Sequence, residues 1–256
     1  MGKNKILVFP ALLLFSSMSN AAFIESLDGS FNQSLQVSGT ITNNSPNWSW
    51  QLDPGAQASL QNIQLRTSDA TTSSGVTTWR IPGRVPLLDG LMARPASSGG
   101  PGLQPEIDVA GTAIDMEKNT PQQLSIPVVG VNGANNYNGT LILDLTLGFT
   151  NTYTFGSGNI DSHIYTSAGS ELTPLERRAF SFLSPAIASI KANNPGLNDA
   201  TQSSNTGNRY KSMTASTSHN VVGALSTELT NMRVTFPSTS IPQTWSAPVN
   251  ITVSIK

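Results

Sequence analysis

Cysteine is absent from the 256 residues of this chain, so no disulfide can hold the fold together. Stability must then come from burial of an apolar core and from backbone pairing. The chain is long enough for this, because a protein of this size buries roughly 70–75% of the surface that its unfolded chain exposes. The sequence therefore predicts a protein with a substantial core and no covalent cross-links.

Charge and histidine are also scarce. Charged residues make up 11% of the chain, the net charge is −1, and there are two histidines. No basic excess is present to attract nucleic acid or an anionic membrane. His163 and His219 lack a partner at a zinc-ligand spacing, and no nucleophile-elbow, phosphate-loop or zinc-protease motif occurs. The sequence thus predicts no enzyme, no cofactor and no nucleic-acid partner.

Long apolar runs are missing, apart from one near the N-terminus. Ile6 to Phe15 is apolar but too short to span a bilayer as a helix. Lys3 and Lys5 precede it, and the small residues that end at Ala21 follow it. This arrangement is typical of a secretory signal peptide, predicted here as residues 1–21, with cleavage one residue later as the alternative. We therefore expect an exported protein.

Short apolar runs that alternate with Ser, Thr, Asn, Gln and Gly dominate the rest of the chain. The clearest lies between Thr140 and Thr150, where every second residue is apolar. Those residues are Leu141, Leu143, Leu145, Leu147 and Phe149. A period of two is the signature of a strand with one buried face. The sequence predicts an all-β fold with this segment as a central strand.

One segment has a helical pattern instead. Thr173 and Glu176 fit a capping box, in which each side chain bonds the backbone of the other at the start of a helix. The Ser184-Pro185 pair has the features of a second helix start. We therefore predict two short helices, roughly 174–183 and 185–192, that cover an open end of the core.

The two ends of the mature chain have matching patterns. Apolar and polar residues alternate both from Phe31 to Ile41 and from Ala247 to Lys256. Alternation alone favours two ordinary strands of one sandwich. The other interpretation is that the N-terminal strand leaves its own body and completes a neighbouring subunit, which would make the chain a polymerising subunit.

Four carboxylates cluster at Glu106, Asp108, Asp115 and Glu117. A glycosidase needs two carboxylates on opposite sides of a sugar, and calcium needs several oxygen ligands. Neither activity has a supporting motif here. Acidic residues on the solvent face of a hairpin are the preferred interpretation.

Several further segments follow one another in a recognisable order. They are Asp28-Gly-Ser-Phe31-Asn, Gly39-Thr-Ile41-Thr, Trp48-Ser-Trp50, Gln123-Leu-Ser-Ile126-Pro-Val128 with the strand from Thr140, Phe180-Ser-Phe182-Leu183, Ile187-Ala-Ser-Ile190 and Thr244-Trp-Ser-Ala-Pro-Val249-Asn250. Taken in this order, they resemble the Fae-type fimbrial subunits and adhesins of enterotoxigenic Escherichia coli. Each piece is weak by itself, but the ordered set covers nearly the whole mature chain. The family ends in aromatic residues, whereas this chain ends in Ile255-Lys256.

The resemblance implies an incomplete immunoglobulin-like β-sandwich that is completed by a donor strand and carries a short helical insertion. It divides the chain into the signal peptide (1–21), an N-terminal donor-strand extension (22–42) and a pilin domain (43–256), with the insertion at about 173–193. A periplasmic chaperone lends the missing strand. At an outer-membrane usher, the next subunit's extension replaces it.

The resemblance also implies roles for the alternating residues of both ends. The donor residues that enter a neighbour's groove would be Phe31, Leu35, Val37 and Ile41. The residues that line this subunit's groove and meet the chaperone would be Val249, Ile251, Val253 and Ile255.

Three functions follow in order of preference. The first is a minor fimbrial subunit, exported through the periplasm to the cell-surface fimbrium, which supports adhesion to host surfaces. The second is a lectin-like adhesin that binds a host glycan itself. Aromatic rings and arginine suit sugar recognition, which makes Tyr165, Arg209 and Tyr210 receptor candidates, with His163, Arg177 and Arg178 chemically suitable. The third is a secreted carbohydrate-active enzyme.

Overall fold

A computed structural model of the chain describes residues 24–25, 30–34, 40–42, 48–155, 163–166, 172–202 and 211–256. For 24–25, 30–34, 40–42, 155, 163–166, 198–202 and 211–212, it describes the backbone alone. The signal peptide predicted for residues 1–21 lies outside the described residues. Among the described residues, no helix has both the length and the apolar character needed to cross a bilayer.

Strands form most of the described chain. They are β1 (Ile24–Glu25), β2 (Ser30–Ser34), β3 (Thr40–Thr42), β4 (Trp48–Leu52), β5 (Thr71–Ser73), β6 (Val76–Arg80), β7 (Val85–Met92), β8 (Ala96–Ser98), β9 (Pro105–Val109), β10 (Thr112–Ala113), β11 (Gln122–Asn132), β12 (Asn135–Phe155), β13 (His163–Thr166), β14 (Asn198–Gln202), β15 (Ser218–Pro237), β16 (Thr244–Ser246) and β17 (Asn250–Ile255). The helices are α1 (Pro54–Leu60), α2 (Pro174–Asn193) and α3 (Lys211–Thr214), and Thr67–Asp69 forms a 3₁₀ turn.

The strands form two sheets. The larger sheet has the order β1-β4-β7-β15-β12-β11-β16, with β6 and β8 beside β15, β5 beside β6, β13 beside β12 and β14 beside β13. The smaller sheet has the order β10-β9-β17-β2-β3. The strand pairs are antiparallel except β13 with β14. Buried side chains from both sheets form one apolar cluster, so the fold is an all-β sandwich, as the sequence predicts.

The long strand β12 provides the centre of that cluster. From Leu141 to Phe149 every second residue is at most 7% exposed, as the alternation predicts. Those residues are Leu141, Leu143, Leu145, Leu147 and Phe149. β12 pairs with β15 almost throughout, and register shifts at Ile142/Asp144 and Thr152/Thr154 interrupt the pairing. Such irregularities bend and twist a long strand pair.

The helix α2 lies across β12 and β15 on the outer side of the larger sheet. The capping box is confirmed: the backbone N–H of Glu176 donates to Thr173 Oγ1 at 3.2 Å, and the N–H of Thr173 donates to Glu176 Oε2 at 2.9 Å. The absence of a side chain at Gly148 makes room for the helix start, because a Cβ there would overlap the backbone of Leu175 and Glu176.

The prediction of two separate helices is wrong, since one helix runs through Pro185. Proline there removes one backbone donor and disturbs the preceding turn without ending the helix. The continuous buried stripe of Ala179, Leu183 and Ile190 explains why the helix persists. Packing of that stripe on the sheet outweighs the local preference of the Ser184-Pro185 pair.

Candidate functional site: the C-terminal strand and the position beside it

The last strand, β17, presents an apolar inner face. Val249 just before it, and Ile251 and Val253 within it, are 4, 1 and 0% exposed, and Ile255 is partly buried. Fully burying one such side chain contributes roughly 1.5–3 kcal/mol. These are the four residues that the family resemblance assigns to the groove. The structure places them on one alternating face of the strand.

One side of β17 is paired with β9 of the same sheet. Ile251 stands opposite Val109, and Val253 stands opposite Ile107. The C-terminus is held as well: the N–H of Lys256 donates to Gln104 O at 2.8 Å, and the Lys256 ammonium forms an ion pair with Glu106. These contacts fix β17 beside β9, so a further strand can pair with β17 only along its other side.

The N-terminal strand β2 occupies that other side. It pairs antiparallel with β17, so that Phe31 stands opposite Val253, Gln33 opposite Ile251, and Ser34 opposite Asn250. β3, which contains Ile41, then pairs back onto β2. The two ends whose patterns match are therefore neighbours in the smaller sheet. Leu35 and Val37, also predicted to be donor residues, lie outside the described residues.

The receptor candidates do not form a described site. Tyr165 belongs to β13, whose backbone places it opposite Tyr153 of β12. Arg209 and Tyr210 lie outside the described residues. Arg177 is exposed, and its guanidinium donates to Leu172 O at 3.2 Å.

The acidic cluster has the arrangement expected of a hairpin surface. Glu106 and Asp108 alternate along β9 with inward-facing, buried residues. Asp108 Oδ1 accepts from the N–H of Gly111 at 2.7 Å in the turn to β10, and Asp115 Oδ1 accepts from the N–H of Glu117 at 3.0 Å. These carboxylates therefore stabilise turns. Within the described part of the chain, no group of three or more acidic or histidine side chains could hold a metal ion.

A polar network that sequence patterns did not reveal anchors α2 to the larger sheet. Arg178 Nη2 donates to Asp53 Oδ2 at 3.0 Å and to Asp89 Oδ2 at 2.5 Å, and Ser226 Oγ donates to Asp89 Oδ1 at 2.6 Å. Asp89 is only 4% exposed, so its charge depends on these partners. Arg178 therefore has a structural role, which makes it a poor receptor candidate.

The protonation of Arg178 agrees with this role. Burial lowers its pKa, but the hydrogen bonds that it donates to Asp89 and Asp53, and their charges, raise it more, so its pKa lies above the ordinary value for arginine. The residue stays charged and keeps the buried carboxylate paired.

Comparison with known proteins identifies a family. Residues 3–256 match the family model described as fimbrial, major and minor subunit, of the K88 type. A search of curated protein sequences gives no match. Because the match covers nearly the whole chain, the protein belongs to the family of K88-type major and minor fimbrial subunits, which assemble with other fimbrial subunits in the cell-surface fimbrium.

Proposed function

We propose that the protein is a minor fimbrial subunit that polymerises by donor-strand exchange and supports adhesion to host surfaces. In this proposal a periplasmic chaperone first covers the edge of β17. An outer-membrane usher then brings in the N-terminal extension of the next subunit, residues 22–42, which replaces the chaperone strand. Adhesion is a property of the assembled fibre, and the subunit catalyses no reaction.

The observation that carries this proposal is the pairing of β2 with β17. Main-chain hydrogen bonds between two antiparallel strands do not depend on which copy supplies the strand. The register that joins Phe31 to Val253 and Ser34 to Asn250 within one chain can therefore form between two chains. Exchange of an identical element between subunits is a low-cost route to assembly, because it reproduces contacts that already exist.

The requirement for a chaperone follows from the same geometry. Without a partner on its β2 side, β17 presents an unpaired row of backbone donors and acceptors, which invites uncontrolled strand pairing. The part of the core that contains the buried side chains of Ile251 and Val253 would also become more exposed to solvent. A lent strand protects this edge until the next subunit arrives.

The test uses the absence of cysteine. One subunit carries Ser34→Cys and a second, co-expressed subunit carries Asn250→Cys. Directly opposed residues of an antiparallel pair have Cα atoms about 4.5–5.5 Å apart, within the range of a disulfide. Exchange predicts disulfide-linked dimers of the two variants in purified fimbriae under oxidising, non-reducing conditions.

The matched control replaces Asn250→Cys by Ser254→Cys. Ser254 is also exposed on β17 but stands four residues away along the strand. It should give little linkage to Ser34→Cys. Equal linkage of Ser34→Cys to Asn250→Cys and to Ser254→Cys would contradict exchange. So would a disulfide that forms within a chain carrying both Ser34→Cys and Asn250→Cys but never between two chains. Mass-spectrometric counting of copies in the fimbriae tests the minor position, since a copy number equal to that of the main subunit would contradict it.

A glycan array with purified fimbriae tests the adhesive role. Binding that disappears when this subunit is deleted, with fibre number unchanged, would support it. If Arg209→Ala or Tyr210→Ala also removed binding, the lectin alternative would gain support over a purely structural role.

A further inference from the structure

We propose that a cavity between α1 and β16 binds a small neutral amphipathic molecule, one with an alkyl or aromatic part and an uncharged, hydroxyl-bearing head. Its volume is about 510 Å³, within the range of roughly 300–1,000 Å³ typical of small-molecule sites. The proposal does not depend on strand exchange, because Val249 is the only described residue lining the cavity that also belongs to the groove set Val249, Ile251, Val253 and Ile255.

The floor of the cavity selects an apolar group. It includes Leu60, Ile63 and Leu65, whose apolar side chains are only partly buried and are therefore open to a ligand. Trp79 and Trp245 add two indole rings to the lining. Burial of apolar surface against such a floor is favourable by roughly 25 cal/mol per Å². A ligand that reaches the floor must therefore carry an alkyl or aromatic part.

The rim selects an uncharged polar head. It carries amides and hydroxyls, including Gln57, Gln61, Gln64, Gln243 and Thr244, and none of the described residues that line the cavity carries a charge. Amides and hydroxyls can both donate and accept, which suits hydroxyl groups on a ligand. A charged head would lose hydration with no opposite charge nearby, and that loss is costly.

The wall that contains α1 is fixed in place by hydrogen bonds. The N–H of Gly55 donates to Asp53 Oδ1 at 2.8 Å at the start of α1, and Trp79 Nε1 donates to Arg66 O at 3.0 Å beyond its end. The segment between them lines the cavity. This wall therefore keeps its shape without a ligand.

The opposite wall is held on the sheet edge. Thr244 and Ser246 of β16 stand opposite Val131 and Val129 of β11, and Pro242 packs where the absence of a side chain at Gly130 leaves room. A preformed site loses little conformational entropy on binding. The cavity is thus organised before any ligand enters.

The test is calorimetric titration of the purified full mature chain. The probe is n-octyl glucoside below its micelle concentration, which has an apolar tail and a neutral head. Octanoate and octyltrimethylammonium share the tail but carry opposite charges, and glucose supplies a head without a tail. We expect saturable binding of octyl glucoside and at least about tenfold weaker binding of the other three, because an unpaired charge or the loss of the tail costs more than 1.4 kcal/mol.

Three variants test where the binding occurs. Ala247→Phe fills the cavity from its wall and should abolish binding, whereas Val76→Phe, at an exposed hairpin position away from the cavity, should leave it unchanged. Gln64→Glu adds a carboxylate to the exposed rim and should make octyltrimethylammonium the preferred probe even if Ala247→Phe fails to fold. Equal binding of all three octyl compounds, no effect of Gln64→Glu, or displacement of octyl glucoside by a peptide of residues 31–42 would overturn the proposal.

Discussion

Phe31 and Val253 stand opposite each other on antiparallel strands, although they lie near the two ends of the chain. Val253 is fully buried and is also opposite Ile107 on its other side. The last strand is therefore the central member of three, and one neighbour comes from the segment most suited to exchange. Because the two paired strands come from opposite ends of the chain, substitutions in the N-terminal segment and in β17 can be tested separately.

Leu35→Asp or Val37→Asp should stop assembly of the subunit into fimbriae while leaving the chaperone-bound subunit folded. The physical reason is that a carboxylate cannot enter an apolar groove without losing its hydration. The measurement is the yield of the subunit in fimbriae against its yield in the periplasmic chaperone complex. Gln36→Asp, between the two, is the matched control and should assemble. Normal incorporation of both apolar-to-acid variants would rule out the donor role.

Val253→Asp should prevent accumulation of the folded subunit, even with the chaperone present. The new carboxylate would be buried with no basic partner, and such a charge is far more costly than a lost apolar contact. Asn250→Asp, at an exposed position of the same strand, should change the free energy of unfolding by no more than about 0.5 kcal/mol. The yield and protease resistance of each variant in periplasmic extracts that contain the chaperone distinguish the two. Equal yield and resistance would show that Val253 is not part of a closed core.

Arg178→Ala should lower the free energy of unfolding by about 2 kcal/mol. Asp89 would stay buried and would keep the hydrogen bond from Ser226 Oγ. The loss for a fully buried ion pair is roughly 3–5 kcal/mol, and Arg178 is one-third exposed, so solvent reduces it. Urea denaturation measures the change. The neighbouring Arg177→Ala removes a charge at an exposed position and should cost much less.

The pH dependence of that contribution has a definite sign. Because the folded-state pKa of Arg178 is raised, its contribution is fully present below the unfolded-state pKa and is lost only as the pH rises above it. The stability difference between Arg178→Ala and the unchanged protein should therefore stay constant from neutral to moderately alkaline pH. A difference that shrinks over this range would show that the ion pair is not its source.

The features that the sequence predicts correctly are those with a local signature. The alternating leucines of β12 predict which face of that strand is buried, and the pair Thr173 and Glu176 predicts where α2 begins. Each of these signals lies within a single element. The prediction at Pro185 is wrong for the same reason: a local rule predicts a new helix start, whereas contacts between α2 and two distant strands decide that the helix continues.

The long-range features had no such signature. Arg178 meets Asp89 and Asp53 only after β4, β7 and α2 come together, and nothing in the spacing of the three residues indicates it. The cavity joins the segment around Gln64 to the segment around Trp245, which lie at opposite ends of the domain sequence. The pairing of β2 with β17 was foreseeable only as two compatible patterns, since alternation does not specify a partner.

Gly90→Ala should lower the free energy of unfolding by about 1–3 kcal/mol, the usual cost of overpacking a core. Gly90 stands opposite Trp50, whose ring occupies the space that a Cβ would need, and Trp50 stacks on Trp48 with ring centroids 5.0 Å apart. The control is Gly100→Ala, where a Cβ meets no atom within 4 Å. Thermal unfolding of both variants measures the difference, and a change of less than about 0.5 kcal/mol in Gly90→Ala would show that the indole can shift.

Pro185→Ala should stabilise the protein, in contrast to the other substitutions. Proline inside a helix lacks a backbone donor and clashes with the preceding turn, at a cost of up to about 3 kcal/mol relative to alanine. Pro185 is exposed, so its replacement removes no core contact. Pro174→Ala is the matched control: at the first position of α2 the missing donor would have no partner within the helix, so this change should be nearly neutral. Urea denaturation compares the two. If Pro185→Ala instead lowered the stability, the segment would depend on a break at this residue, and two separate helices would describe it better than one.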